Sequence, residues 1–405
     1  MGSMNKTQAQ QNGWKKIKLG DSPMEIIDGD RGKNYPKQEE FFKNEYCLFL
    51  NAKNVTDSGF AFSELNFITK HKDEILRKGK LKRNDLVLTT RGTVGNIVFY
   101  DDRVPFENIR INSGMVIIRP VDIDPKFNYQ LFKFLKNDFL SFASGSAQPQ
   151  LPIRDMREIE VNLPPLPEQK AIASVLSSLD DKIDLLHRQN KTLESMAETL
   201  FRQWFIEGAK EDWEERELSY YGDIICGKTP SKKIHSYFNG DIPFIKIPDM
   251  HGNIFLFKTA DSLTEKGKQS QTNKTLPPKS ICVSCIATVG LVSMNTIESQ
   301  TNQQINSIIP KKDHYRYFLY LTMKSSYDLL NSMASGGTAT LNLNTGDFAN
   351  IPTLYPGNDT LIAFQGSVET YFNKIFANQS QINTLETLRD TLLPKLMSGA
   401  VRVTF

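Results

Sequence analysis

Two stretches of the chain carry apolar residues at alternating steps of four and three. The first runs through Ile172, Leu176, Leu179, Ile183, Leu186, Asn190, Leu193, Ala197, Leu200 and Trp204. The second runs through Phe364, Val368, Tyr371, Ile375, Asn378, Ile382, Leu385, Arg389, Leu392 and Leu396. Such spacing is a heptad seam, because it keeps one stripe on one helix face. A helix of about 33 residues is a rod of roughly 50 Å at 1.5 Å per residue, long enough to act as a ruler. Neither helix can bury its stripe alone, so the simplest partner of each is the other. An approximate two-fold axis between equivalent units makes the pair antiparallel; the sequence leaves parallel packing open. Asn190 and Asn378 fall within the seams. A buried asparagine there can fix one alignment at a cost in stability, the alternative being a wet or frayed edge.

Outside the rods the pattern changes to short β-type runs bounded by glycine and charged turns. Leu86–Thr90, Asn96–Tyr100 and Gly114–Ile118 read as strands, as do Ile281–Val283 and Ile305–Ile309 further on. Each half is therefore expected to be an α+β domain with a curved or barrel-like sheet. The first helix follows Leu163-Pro164-Pro165-Leu166-Pro167-Glu168-Gln169, whose prolines delay helix until Pro167 and Glu168 can occupy a first turn. Pro394 predicts a kink or a frayed last turn in the second.

The two patterns belong to a duplication. Lys182-Ile183 matches Lys374-Ile375 at an offset of 192 (374 − 182), and Thr192-Leu193-Glu194 matches Thr384-Leu385-Glu386 in the same register. Upstream the offset drifts. Ala143-Ser144-Gly145 matches Ala334-Ser335-Gly336, Ile111-Asn112-Ser113 matches Ile305-Asn306-Ser307, Thr93-Val94-Gly95 matches Thr288-Val289-Gly290, and Trp14 matches Trp213. Stepwise drift means insertions in the loops of a shared scaffold. The chain divides into a first domain 1–165, a first helix 166–208, a second domain 209–357, a second helix 358–399 and a tail 400–405.

Composition narrows the class. With 39% hydrophobic and 23% charged residues, the 405-residue chain is ordinary globular protein, large enough for two cores. No apolar run approaches the roughly 18 residues that span a bilayer. Met1-Gly2-Ser3 reads as a cloning remnant ahead of Met4, and the residues after Met4 lack a signal peptide's apolar core, so a cytoplasmic location is expected. The four cysteines do not make a disulfide framework, and Cys282 and Cys285 read as part of a buried strand rather than a metal site. No phosphate loop, dinucleotide fingerprint, zinc-protease, nucleophile-elbow or amino-methyltransferase motif is present, so any chemistry belongs to partners.

The net charge of +3 says little about nucleic acid, but Lys70–Arg83 concentrates Lys70, Lys72, Arg77, Lys78, Lys80, Lys82 and Arg83 against Asp73 and Glu74. Such a stretch can track phosphates, or it can be a solvated surface. From it Lys80, Lys82 and Arg83 are taken as DNA-binding candidates, with Arg31, Lys33, Lys228 and Lys246. Base reading points to Arg91, Thr93 and Asn96, where a guanidinium able to grip guanine lies among glycines. The matching segment of the second half, Cys285–Gly290, lacks the arginine. Asn302, Gln303 and Gln304 can bond adenine through their amides, and Gln148, Gln150, Thr338 and Thr340 lie in a polar loop found in both halves.

A variable domain, then Leu163–Ile172, then a heptad helix holding Asp180-Asp181-Lys182-Ile183-Asp184 and ending at Phe201–Phe205, resembles the specificity subunit of type I restriction-modification systems. Leu392–Gly399 is similar to that family's C-terminal end, and Gly227–Ser231 and Gly240–Ile245 to openings of its target recognition domains. The second copy departs from the pattern, with Tyr355-Pro356-Gly357-Asn358 where the first has its Pro-Glu-Gln. The resemblance implies a non-catalytic subunit that reads a bipartite double-stranded target, one half-site per domain, with the helices fixing the gap. It also implies two methyltransferase subunits that methylate adenine with S-adenosylmethionine, and restriction subunits using ATP and Mg, with no cofactor on this chain. The rival reading is a coiled-coil scaffold that never touches DNA.

Overall fold

The computed structural model describes residues 13–57, 59–143, 149–335 and 340–403. The chain forms two compact units, Met1–Lys182 with Glu386–Phe405, and Ile183–Leu385. Both long helices are shared between the units.

In the first unit the strand Leu86–Thr89 is buried along its whole length, and its alternating side chains serve two layers. Leu86 and Leu88 join Val116, Ile118 and the helix residues Phe127, Leu131 and Phe139; Val87 joins Val98, Ile117, Leu48 and Ile109. The result is a four-stranded antiparallel sheet in the order Met24–Asp28, Met115–Pro120, Leu86–Thr89, Ile97–Phe99. Among the described residues this sheet has Met24–Asp28 and Ile97–Phe99 as its edges and is not closed into a barrel. Helices Pro125–Phe134 and Lys136–Phe142 cover one face. The other carries a lobe built on a smaller sheet, Phe67–Ile68, Cys47–Leu50, Ile109–Ile111.

The second unit repeats this plan. Gly222–Cys226, Ile305–Pro310, Ile281–Ser284 and Val292–Asn295 lie in the same order, with Phe255–Leu256 added at the edge, and the lobe sheet is Asp261–Leu263, Phe238–Ile245, Gln300–Thr301. Met115–Pro120 and Ile305–Pro310 are thus the equivalent central strands, each flanked by two antiparallel neighbours. That overturns the match of Ile111-Asn112-Ser113 to Ile305-Asn306-Ser307. Ile111 ends a lobe strand whereas Ile305 begins the central one, and a shared tripeptide cannot tell two β contexts apart. Cys282 packs in the lobe layer and Cys285 in the helix layer, so alternation puts them on opposite faces. Burial pushes both thiols up to about 12.

The first long helix, Leu166–Arg202, continues as a π-helical turn over Gln203–Glu207; the second, Asn358–Met397, runs through Pro394 without ending there. In the first unit Ile172 and Leu176 pack with Leu392 and Leu396, near opposite ends of their helices. In the second, Ile183 and Leu186 pack with Ile382 and Leu385, and Ala197 and Phe201 with Phe364, Val368 and Ile375. The helices are antiparallel. Of the seam residues, Leu179, Leu193, Leu200, Tyr371, Leu385 and Leu392 are half-buried and the remaining apolar ones buried, apart from Trp204, which is also half-buried. Phe201, Leu361 and Phe372 are buried too, because the domain helices press on the rods and widen the apolar stripe. No helix of the described residues is long and apolar enough to cross a membrane.

Asn378 Nδ2 donates to Asn190 Oδ1 at 2.9 Å, with both residues buried. Asn378→Leu should cost about 1–3 kcal/mol by leaving the Asn190 amide buried and unpaired, and adding Asn190→Leu should restore most of the loss. Chemical denaturation of the two single variants and the double one measures this; simple addition of two losses would contradict the pairing.

The start of each helix is tied to its domain by different chemistry. Gln169 accepts the Asp124 N–H at 2.9 Å and donates to the Pro164 carbonyl, which anchors the helix that begins at Pro125. In the second copy Asn358 Oδ1 accepts from the Tyr315 hydroxyl at 3.0 Å and from Lys312 Nζ at 3.2 Å. The irregular second start therefore does a similar mechanical job. The segment after the second helix returns to the first unit, where Arg402 pairs with the buried Glu168 and lies beside the Trp14 ring.

Candidate nucleic-acid interface

A glycine opens the loop set in each unit. A Cβ on Gly29 would stand 2.2 Å from the carbonyl oxygen of Asn112, and one on Gly227 would stand 2.1 Å from that of Asn302. Only glycine lets the edge strand leave so close to the turn that begins the central strand. That turn is the same in both units: Asn112 Oδ1 accepts the Gly114 N–H at 2.9 Å, and Asn302 Oδ1 accepts the Gln304 N–H at 3.1 Å. The neighbouring hairpin is hung from it, Thr90 N–H on the Gly114 carbonyl and Cys285 N–H on the Gln304 carbonyl, each at 2.8 Å. Gly92 and Ala287 take the left-handed conformation at equivalent places, φ +75° and +65°. Backbone bridges Arg91–Gln150 and Ile286–Asn342 complete the set.

One end of each main sheet therefore gathers several sequence-predicted residues. In the first unit Arg31 is exposed, pairs with Asp28 at 3.1 Å and reaches the Ser113 carbonyl at 3.3 Å, with Lys33 exposed two residues on. Half-buried Arg91 and exposed Thr93 and Gln150 stand at the same end. In the second unit Lys228 is exposed and held through its N–H on the Thr301 carbonyl, and Gln303 accepts from the Thr229 hydroxyl at 2.8 Å. Gln304 is half-buried against Asn302, and Thr340 is exposed beside the bridge. Gln148 and Thr338 lie outside the described residues.

Other candidates are committed to the fold. Lys80 bonds Asp73 and the Asn108 side chain, Asn96 donates to the Val55 carbonyl at 3.0 Å, and Arg83 holds the carbonyls of Asp101 and Val104 while lying over the Tyr100 ring. Lys246 pairs with Asp261, and Asn302 is the buried residue of the turn that begins the central strand. Lys82 is exposed but precedes Leu86, at the opposite end of the strand from the hairpin. Arg83 and Asn96 look free in the sequence because the carbonyls they hold lie 18 to 41 positions away.

Sequence reasoning passed over Ile286 and Asn342 as readers, although Asn342 stands at the helix offset from Gln150 (342 − 150 = 192). Arg77 and Lys78 were part of the basic stretch but not singled out. They share a concavity of about 300 Å³ with Asp30, Arg31 and Gly32. Burial pushes the Asp30 carboxyl up, but the backbone N–H groups of Gly32, Arg77 and Lys78 and the Arg77 charge outweigh it and hold it below the usual carboxylate range.

Comparison with known proteins converges on one family. The family described as "Type I restriction modification DNA specificity domain" matches twice, over residues 11–195 and 210–383. The type I restriction enzyme HindI specificity subunit of Haemophilus influenzae is 31% identical over 92% of this chain and 98% of its own length. The MjaIX specificity subunit of Methanocaldococcus jannaschii is 28% identical over 79% of this chain and 78% of its own. The crystal structure of a type I restriction-modification S subunit from M. genitalium shares the fold, with a TM-score of 0.58 at 17% identity, covering 96% of this chain and 97% of that one.

Proposed function

The chain belongs to the type I restriction modification DNA specificity family, and from that premise we propose that it reads a bipartite double-stranded DNA target, one half-site per unit. As a specificity subunit it is non-catalytic.

The observation that carries this reading is the repetition of one loop set with different side chains. Arg91 and Gln150 in the first unit stand where the second has Ile286 and Asn342. Identical backbone devices with exchanged side chains are what two unlike half-sites require. An arginine suits guanine, an asparagine suits adenine, and an aliphatic side chain suits the thymine methyl. Arg31, Lys33, Thr93, Lys228, Gln303 and Thr340 would supply further contacts at the same sheet ends, with phosphate contacts setting affinity and base contacts setting sequence.

The two-fold repetition also favours two equal partners. In this proposal two methyltransferase subunits dock on the chain and methylate adenine with S-adenosylmethionine. Restriction subunits that use ATP and Mg join them, and the antiparallel helices fix the gap between half-sites. The assembly works in the cytoplasm, with no cofactor held by this chain.

Selection from a random-sequence duplex pool by the chain assembled with its methyltransferase subunits tests the reading. Two enriched blocks at constant separation are expected. Absence of an enriched motif would favour a scaffold that ignores DNA sequence, and one uninterrupted block would contradict the division of labour.

A further inference from the structure

Resting on that reading, we infer that Arg31, Arg77 and Lys78 form a seat for a DNA backbone phosphate that the first unit has and the second lacks. The three cations line one concavity with a single carboxylate, Asp30. That carboxylate serves the backbone, accepting the N–H groups of Gly32 at 2.8 Å and Arg77 at 2.7 Å, and so fixes both rims of the concavity. Arg77 lies 3.6 Å from Asp30 yet is 74% exposed, so its guanidinium still faces solvent. Gly32 leaves the space that this guanidinium uses, since a Cβ there would stand 2.6 Å from Arg77 Nη2. Guanidinium groups hold phosphate oxygens in paired hydrogen bonds, and a nearby ammonium adds a point charge. The concavity flanks the edge-strand glycine at the hairpin end of the sheet, since Gly79 packs against Gly29.

The second unit keeps the flanking landmarks but not this segment: Arg77–Gly79 run without helix and Gly79 is left-handed, whereas Thr272–Lys274 form a 3-10 helix. Helix N-caps Thr69 and Thr264 and left-handed residues Asn84 and Lys279 stand at one offset, 195 (264 − 69 and 279 − 84), so no residue is inserted between them. By residue count Arg77 and Lys78 fall opposite Thr272 and Asn273, and Gly79 opposite Lys274. At the offset of the paired glycines, 198 (227 − 29), the position of Asp30 is taken by Lys228. The two half-sites are accordingly gripped through different cations. Arg77 and Lys78 supply salt-dependent affinity for the first half-site, and neither changes the sequence read.

Exchanging the pair for its own counterpart, Arg77→Thr with Lys78→Asn, tests this in the full chain assembled with its methyltransferase subunits. The slope of log affinity against log salt should fall by about one unit, the effect of one phosphate contact, with the methylated sequence unchanged. Lys78→Asn alone should lower the slope, whereas Lys82→Asn, which removes an exposed lysine at the other end of the strand, should not. Equal losses would mean diffuse net charge rather than a seat and would overturn the inference, as would an unchanged slope in the double variant. Inorganic phosphate binding that is lost in the double variant, with the DNA slope intact, would assign the concavity to a free anion and also overturn it. If the parent complex itself shows no salt-dependent binding, the DNA reading fails and the inference with it.

Discussion

Glu168→Ala should destabilise the first unit by about 3 kcal/mol and lower its melting temperature by roughly 6–12 °C. The Glu168 side chain is 1% exposed, and its carboxylate accepts the indole N–H of Trp14 at 3.0 Å and Arg402 Nη2 at 2.7 Å. Removing it leaves a buried indole N–H without an acceptor and a guanidinium without its counter-charge. The estimate stands at the low end for a broken buried pair because Arg402, 38% exposed, can be rehydrated in part. Glu168→Gln keeps an acceptor for Trp14 and should cost less, while Arg402→Ala should free the segment after Met397. Calorimetry together with hydrogen exchange of residues 398–403 separates these effects. A Glu168→Ala variant that melts with the parent would show that the clasp contributes nothing.

The clasp also marks a limit of reading sequence. The Pro-Glu-Gln segment was visible as a pattern, but its work was not, because Trp14 and Arg402 lie 154 and 234 positions away. What repeats locally was legible. The long helices follow from heptad periodicity, and the strands Leu86–Thr89, Ile97–Phe99 and Ile281–Ser284 follow from short apolar runs between turns. The width of the helix stripe was not, since Phe201 and Phe372 are buried by domain helices that the heptad pattern does not know about.

The candidate site divides in the same way. Segments needing special backbone could be found: the glycine-rich hairpin stands at one end of the sheet in both halves. The fate of individual polar side chains could not. Lys80, Arg83 and Asn96 sit on charged or polar stretches, yet each spends its donors on groups inside the lobe. Asn302, an adenine candidate in the sequence, is buried and makes the turn before the central strand. Its structural counterpart is Asn112, which makes the same turn, and the drift in offset hides this behind an identical Ile-Asn-Ser tripeptide elsewhere.

The second large effect concerns specificity itself. The second unit's sheet and lobe fold between Trp213 and Tyr355, closed at their base by the strand pair Glu214–Glu217 and Pro352–Tyr355. The variant that tests this replaces the whole stretch with the corresponding stretch of another member of the family and keeps both long helices. The core there packs on Phe201, Phe364 and Phe372, so the grafted domain must present apolar helices of similar size to the same rods. Sites modified by the parent should then lose methylation altogether, and a new set should gain it.

Mapping every methylated base in cells carrying the parent or this chimera tests the account most directly. It predicts motifs that share one half-site and the length of the gap, and differ throughout the other half-site. Motifs that differ in both halves, or chimeras that still modify the parental sequence, would contradict it.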